Sequence, residues 1–372
     1  MRALGLYIHV PFCKAKCIYC DFYSLPRSEE YMDAYAAALQ RDLAQRAAEA
    51  ADCTVDTVYF GGGTPSYLGA DRLCCILETV FAHYRVGRDA EITLEANPDS
   101  ARGEAALRRL RRTGFNRISL GMQSASNEEL RSIGRVHTHC ETVEALSAAR
   151  AAGFDNVSLD LIYGLPAQTP ARWRDNLAAA IALQPEHLSC YGLKVEEGTP
   201  LYARRGEMDI PDDDAQAEEY LYTAAALEKA GYRQYEISNF ARPGRESRHN
   251  LKYWRMQEYL GFGPGAHSDF GGRRFARARD LAAYLAGKER LSEDARPPER
   301  EREEERVMLS LRTADGLALS ALKENTAGAE SVLAECARHG LARECGGRWR
   351  LTPQGFLVSN AVIARVLEAL EL

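Results

Sequence analysis

The sequence predicts an α/β fold: six strand–helix repeats forming a parallel sheet, followed by a smaller α+β region. Three observations predict it. Short apolar runs rich in Val, Ile, Leu, Tyr and Phe recur at 4–10, 55–60, 90–95, 116–121, 156–162 and 187–193. Helically spaced apolar residues fill the intervals between them. The alternation then stops near residue 194. Repeated strand–helix units imply parallel strands with right-handed crossovers. Helices on one side only would curl such a sheet into a barrel or an incomplete barrel.

Each element has a local reason. The first strand, Leu6-Tyr7-Ile8-His9-Val10, runs directly into Pro11-Phe12-Cys13. Tyr31, Tyr35, Ala38, Leu39 and Leu43 recur at helical spacing and predict a helix over 29–51. Helices are likewise expected over 69–84, 103–113, 139–152 and 170–183. Gly114 and Gly153 stand at two of their ends, where a residue with positive φ is favoured. Beyond 194 the spacing predicts a helix near 213–230, a strand over 232–240, a loop holding Arg248–Trp254 and a turn-dense stretch over 261–268. The domain reading is a barrel over 1–195, an extension over 196–286, a charged linker or exposed helix over 287–306, and a winged-helix-like module over 307–372. That module would carry a hairpin turning at Gly346-Gly347.

The 372 residues carry 47 basic and 53 acidic side chains, a net charge of −6, with no basic excess to suggest nucleic acid. No run reaches the roughly 18 apolar residues of a membrane span. No apolar signal core opens the chain. These features predict a cytoplasmic protein. Seven of the ten cysteines are scattered, and free buried thiols are expected for them.

The remaining three, Cys13, Cys17 and Cys20, form a C-x3-C-x2-C cluster after the first strand. A closed zinc site would want a fourth ligand nearby. A [4Fe-4S] cluster held by three cysteines keeps one iron open to a small molecule. Gly61-Gly62-Gly63-Thr64 follows the second strand, and its glycines allow close backbone approach to a ligand. Glu95, Gln123 and Asp160 are polar residues at or near the carboxyl ends of later strands, where α/β folds gather their chemistry. Arg135 is a candidate partner for a carboxylate.

The cysteine spacing resembles the radical S-adenosylmethionine (SAM) superfamily. The resemblance favours an incomplete, TIM-like (β/α)6 barrel. It implies a cluster whose open iron chelates SAM and passes it an electron, releasing a 5′-deoxyadenosyl radical. The wider pattern is similar to the HemN/HemW group of that superfamily. Matches include Tyr7-Ile8-His9-Val10-Pro11-Phe12-Cys13, Gly61-Gly62-Gly63-Thr64-Pro65, Glu95-Ala96-Asn97-Pro98, Gly121-Met122-Gln123-Ser124, Asp160-Leu161-Ile162-Tyr163-Gly164-Leu165-Pro166 and His249-Asn250-Leu251-Lys252-Tyr253-Trp254. By that resemblance Cys13, Cys17 and Cys20 hold the cluster. Tyr7, Tyr19, Gly62, Gly63, Thr64, Glu95, Gln123, Arg135 and Asp160 hold SAM, although some belong to a second SAM site in the oxidase of the group.

Two departures separate the branches. The coproporphyrinogen III oxidase branch carries a fourth cysteine two residues after the third, where this chain has Phe22, and a longer stretch before the cluster than the twelve residues here. Both point to the heme-chaperone branch, in which the HNxxYW segment is associated with heme. His249 is then the expected axial ligand, with Tyr253 and Trp254 packing on the macrocycle. The implied partners are heme and heme-accepting proteins, respiratory and membrane-associated ones among them. A homodimer stays open. The rival reading is the oxygen-independent oxidase, which decarboxylates coproporphyrinogen III.

Overall fold

The computed structural model describes residues 1–288, 290–323 and 326–371. The six expected strands are present as β1 (Arg2–Val10), β2 (Cys53–Gly62), β3 (Val86–Ala96), β4 (Arg117–Gln123), β5 (Val157–Tyr163) and β6 (His187–Gly192). They lie side by side in chain order, every pair parallel. The connecting helices are α1 (Met32–Arg46), α2 (Ala70–His83), α3 (Glu104–Thr113), α4 (Asn127–Ser132), α5 (His139–Ala151) and α6 (Pro170–Ala182). Only the short α4, capped by Ser126, lacks a counterpart in the sequence reading.

The strands alternate, and the two faces differ in kind. Leu4, Leu6, Ile8 and Val10 of β1 are fully buried, as are Leu94 of β3, Leu120 of β4 and Leu159 of β5. They pack with Tyr35, Leu39 and Leu43 of α1, Leu73 and Leu77 of α2, and Trp173 and Leu177 of α6 in one continuous core. The opposite face carries Tyr7, Tyr59, Glu95, Arg117, Ser119, Asp160, His187 and Ser189. A parallel sheet buried on both faces reads as near-continuous apolar runs. The period-2 alternation in Val157-Ser158-Leu159-Asp160-Leu161 instead marks a sheet with a polar hollow on one side.

After β6 the structure departs from expectation. The strand predicted over 232–240 divides into β7 (Arg233–Gln234) and β8 (Asn239–Ala241), which extend the β6 edge antiparallel. The turn-dense region forms β9 (Tyr259–Phe262), β10 (His267–Phe270) and β11 (Arg273–Arg277), and β12 (Leu291–Ala295) arises within the charged run. β9 pairs parallel to β1, and the other three follow antiparallel. The order is β12-β11-β10-β9-β1-β2-β3-β4-β5-β6-β8-β7, an open twelve-stranded sheet and hence an incomplete barrel.

The predicted 213–230 helix is α7 (Asp213–Lys229). The expected loop at 248–254 is a helix, α8 (Arg248–Trp254), capped by the Ser247 side chain. Seven residues are too few for the apolar period to declare itself. Beyond it, α9 (Glu299–Ser310), α10 (Ala327–Arg338) and α11 (Ser359–Ala369) enclose a second apolar core around Val307, Leu333 and Val366. A hairpin of β13 (Ala342–Cys345) and β14 (Arg348–Leu351) completes it, turning at Gly346 and Gly347, both at positive φ. All ten cysteines are free. Cys53, Cys74, Cys190 and Cys336 are buried as expected, whereas Cys75, Cys140 and Cys345 are exposed on helix and hairpin surfaces. Among the described residues no helix is long and apolar enough to cross a membrane.

Candidate functional site

The polar hollow is a cavity of about 880 Å³. Its wall contains Cys13, Cys17, Cys20, Tyr19, Gly62, Gly63, Thr64, Glu95, Gln123, Arg135 and Asp160, residues spread over the first 160 positions. All but Asp160, which sits in the middle of β5, arrive from the carboxyl end of a strand or the loop that follows it. The cysteine loop leaves β1 and is tied back by a short pairing of Phe12–Cys13 with Leu25–Pro26. Cys13 is buried, and Cys17 and Cys20 are partly exposed. Among the described residues no three His, Cys, Asp or Glu side chains are grouped around a single-ion site; the three thiols stand around a shared hollow. Burial raises the Cys13 and Cys20 thiols, and the neighbouring thiols raise them further.

A chain of hydrogen bonds ties the cysteine loop to the strand ends. The Arg135 guanidinium donates to Asn97 Oδ1 at 3.0 Å, the Asn97 amide donates to Thr64 Oγ1 at 3.2 Å, and Thr64 Oγ1 lies 3.4 Å from Cys13 Sγ. The sequence reading offered Arg135 a carboxylate partner; its actual partner is an amide, together with the Gly121 carbonyl at 3.4 Å. Tyr19 and all three thiols favour its positive charge. Asn97 was missed as a site residue, although it closes the Glu95-Ala96-Asn97-Pro98 segment. Three soft donors beside one cation suit a group bearing thiolate-bound metal.

The glycine segment is shaped by close packing. A Cβ on Gly63 would sit 2.8 Å from Phe12 O and 2.9 Å from Val10 O. At Gly62 (φ +109°) it would sit 2.6 Å from the His9 ring. Substitution at Gly62 would therefore collide with His9 before touching a ligand. Gln123, at the end of β4, adopts φ +60°, a strained conformation for a residue with a side chain. It is held where its amide faces the cavity.

Glu95 accepts from Tyr59 Oη at 2.6 Å and from the Gly62 amide at 3.3 Å. Burial pushes its pKa up to about 7 despite those donors, and nearby Asp160 adds to the rise. Asp160 accepts from Ser119, Ser158 and Ser189, and burial raises it as well.

Two expected site residues are placed elsewhere. Tyr7 bonds His9 Nδ1 at 3.1 Å and does not line the cavity. His249 is fully buried on α8 with both ring nitrogens engaged: Nδ1 with Thr57 Oγ1 at 2.8 Å and Nε2 with Tyr253 Oη at 2.9 Å. In this arrangement neither nitrogen is available to iron. The α8 residues that reach the cavity are Asn250, Tyr253 and Trp254.

Comparison with known proteins gives a consistent result. The radical SAM superfamily model matches residues 7–180, and the HemN C-terminal domain model matches 298–358. The heme chaperone HemW of Mycobacterium tuberculosis is 39% identical, covering 98% of this chain and 95% of that protein. HemW of Escherichia coli is 36% identical, with 97% of each chain covered. The radical SAM enzyme coproporphyrinogen III oxidase (HemN) of Escherichia coli superposes with a TM-score of 0.84 at 25% identity, covering 98% of this chain and 90% of that one.

Proposed function

We infer the function from one premise: the chain belongs to the HemW family of radical SAM proteins. The reading is a heme carrier that binds a [4Fe-4S] cluster, SAM and heme, and passes the heme to acceptor hemoproteins, with a cytoplasmic location. The observation that carries it is one cavity shared by Cys13, Cys17 and Cys20 at its mouth and by Asn250, Tyr253 and Trp254 of the HNxxYW helix in its wall.

Cys13, Cys17 and Cys20 would hold the cluster, which when bound supplies one electron at low potential. The residues around it bind and orient. The Gly62–Thr64 segment, Gln123, Glu95 and Asp160 present backbone and side-chain polar groups where SAM would lie. Arg135 places a fixed positive charge beside the thiols. Glu95, poised near neutrality, takes up or releases a proton at its carboxylate as the ligand beside it changes. Trp254 offers a flat apolar surface suited to a macrocycle. His249 serves this reading as the anchor of α8, and axial ligation by it would first require both of its hydrogen bonds to break.

Phe22, exposed beside Cys20, occupies the position of the oxidase branch's fourth cysteine and favours the carrier over the oxidase. The test is anaerobic reconstitution of the full chain, followed by two assays. Heme titration should give a bound Soret band, and mixing with an apo-hemoprotein should transfer it. Incubation with coproporphyrinogen III, SAM and reductant should yield no protoporphyrinogen. Turnover in that second assay would replace the carrier reading with the oxidase.

A further inference from the structure

We propose that Arg117 is the seat for a carboxylate at the floor of the cavity and that, on the heme-carrier reading on which this inference rests, the carboxylate is a heme propionate. Arg117 opens β4, is 2% exposed, and lines the cavity. Among the described residues its guanidinium has no hydrogen bond or ion pair, and Nε is sealed from solvent with no acceptor in reach. A buried guanidinium with five N–H donors and no acceptor is a costly arrangement unless something else supplies the oxygen.

The nearby carboxylates do not supply it, because each is committed elsewhere. Glu91 accepts the backbone N–H groups of Arg248 and His249 at 3.1 and 3.0 Å. Asp160 is held by three serines, and Glu95 by Tyr59 and Gly62. Glu91 and Asp160 still favour the charge on Arg117 from a distance, as do the Tyr59 and Tyr235 phenols. The result is a protonated fork whose donors are unused. A carboxylate is the planar acceptor that fits this fork with two parallel bonds.

Position identifies which ligand brings it. Arg117 and Gln123 stand at opposite ends of β4, six residues and roughly 20 Å apart along the strand. The cysteines and Gly62–Thr64, where SAM would lie, are at the Gln123 end. A carboxylate on Arg117 therefore belongs to a molecule that reaches down the barrel. Elsewhere the cavity wall offers apolar surface from Ile162, Ile237, Trp254 and Leu309. Apolar wall surface and a cationic seat in one cavity match an amphipathic molecule with a flat apolar body and a carboxylate arm.

Hemin and hemin dimethyl ester differ only in those arms, so the reconstituted full chain is titrated with both, as wild type, R117M and R117K. The wild type is expected to prefer the free acid by about tenfold or more, the ratio expected from one charge-assisted pair. R117M should bind both forms alike while keeping wild-type SAM affinity and iron content, and R117K should show an intermediate preference. Equal binding of acid and ester by the wild type would overturn the inference and leave the carrier reading standing. So would an acid preference that survives in folded R117K and R117M. Loss of SAM affinity with the hemin preference intact would assign the carboxylate to SAM and overturn the propionate. Failure of the wild type to bind either porphyrin would defeat the carrier reading and the propionate with it.

Discussion

The two ends of the barrel carry the two motifs, and they are built in opposite ways. At the carboxyl ends of the strands the polar groups are held from behind and left open in front. Arg135, Asn97 and Thr64 form a supporting chain, and the cysteine thiols and the Gln123 amide face the hollow. At the amino ends the groups on and around α8 are closed off, whereas Arg117 keeps its donors toward the cavity. Glu91 caps α8, His249 spends both nitrogens, and Lys252 Nζ, 1% exposed, lies 2.7 Å from Asp56 Oδ1. Gly5 of β1 admits this packing, since a Cβ there would meet Lys252 and His249 at 2.8 and 3.2 Å. The HNxxYW segment is thus a plug for the barrel floor that also lends Asn250, Tyr253 and Trp254 to the cavity. Residue type alone does not make a ligand; an unused lone pair facing a hollow does.

The most damaging way to probe the open end is Cys17→Ser. Loss of one of three ligands should abolish cluster assembly, with iron and sulfide near zero after anaerobic reconstitution and no brown absorption near ~400 nm. Thermal stability of the apo-protein should change little, because Cys17 is partly exposed and lies outside the apolar core clusters. Retention of wild-type iron would remove Cys17 from the ligand set and erase the contrast between the two ends.

At the closed end the expected loss is of stability instead. His249→Ala removes a buried ring with two hydrogen bonds and leaves Thr57 and Tyr253 without their partner. A cost of about 2–4 kcal/mol follows from the cavity and the orphaned groups. Urea denaturation should show that drop, while cluster iron and the Soret position of bound heme stay at wild-type values. A shifted Soret band in a variant of undiminished stability would restore His249 as an iron ligand and break the comparison.

How much of this was legible depends on range. The six strands and five of their helices could be read because each announces itself within about ten residues, by apolar period and by glycines such as Gly114 and Gly153. That Cys13, Cys17, Cys20, the glycine turn, Glu95, Gln123 and Asp160 gather at one cavity could be read as well, from the fold's habit of collecting such residues on one side of the sheet. The placement of His249 could not. Its partners Thr57 and Glu91 lie more than 150 positions away and show no local sign of the contact. Arg117 was passed over for the same reason: inside Phe115-Asn116-Arg117-Ile118 it resembles the polar start of a strand. The β9–β12 meander was hidden by its glycines: Gly261 lies inside β9, and Gly263 and Gly265, between β9 and β10, read as turns.

The smallest expected effect separates a carboxyl group in the packed body from one at the open end. Glu219 on α7 and Glu95 on β3 are both pushed up to about 7, chiefly by burial. A carboxyl group whose pKa is raised in the folded state binds its proton more tightly there than in the unfolded chain, where it titrates near 4.5. The folded state therefore holds more protons between about pH 4.5 and 7, so these groups make stability fall as pH rises through that window and stay flat above it. Glu219→Gln removes one such group and should flatten the slope, with the variant more stable than wild type at pH 8 by on the order of 1 kcal/mol. The pH dependence of SAM affinity should be untouched, because Glu219 does not line the cavity. Glu95→Gln should instead flatten the SAM profile near pH 7, since its carboxylate lines the cavity proposed to hold SAM. Urea midpoints across pH 4.5–8 and equilibrium dialysis of SAM over the same range check both. A SAM profile that follows Glu219 rather than Glu95 would place the ionising group outside the open end, and the division between the two would fail.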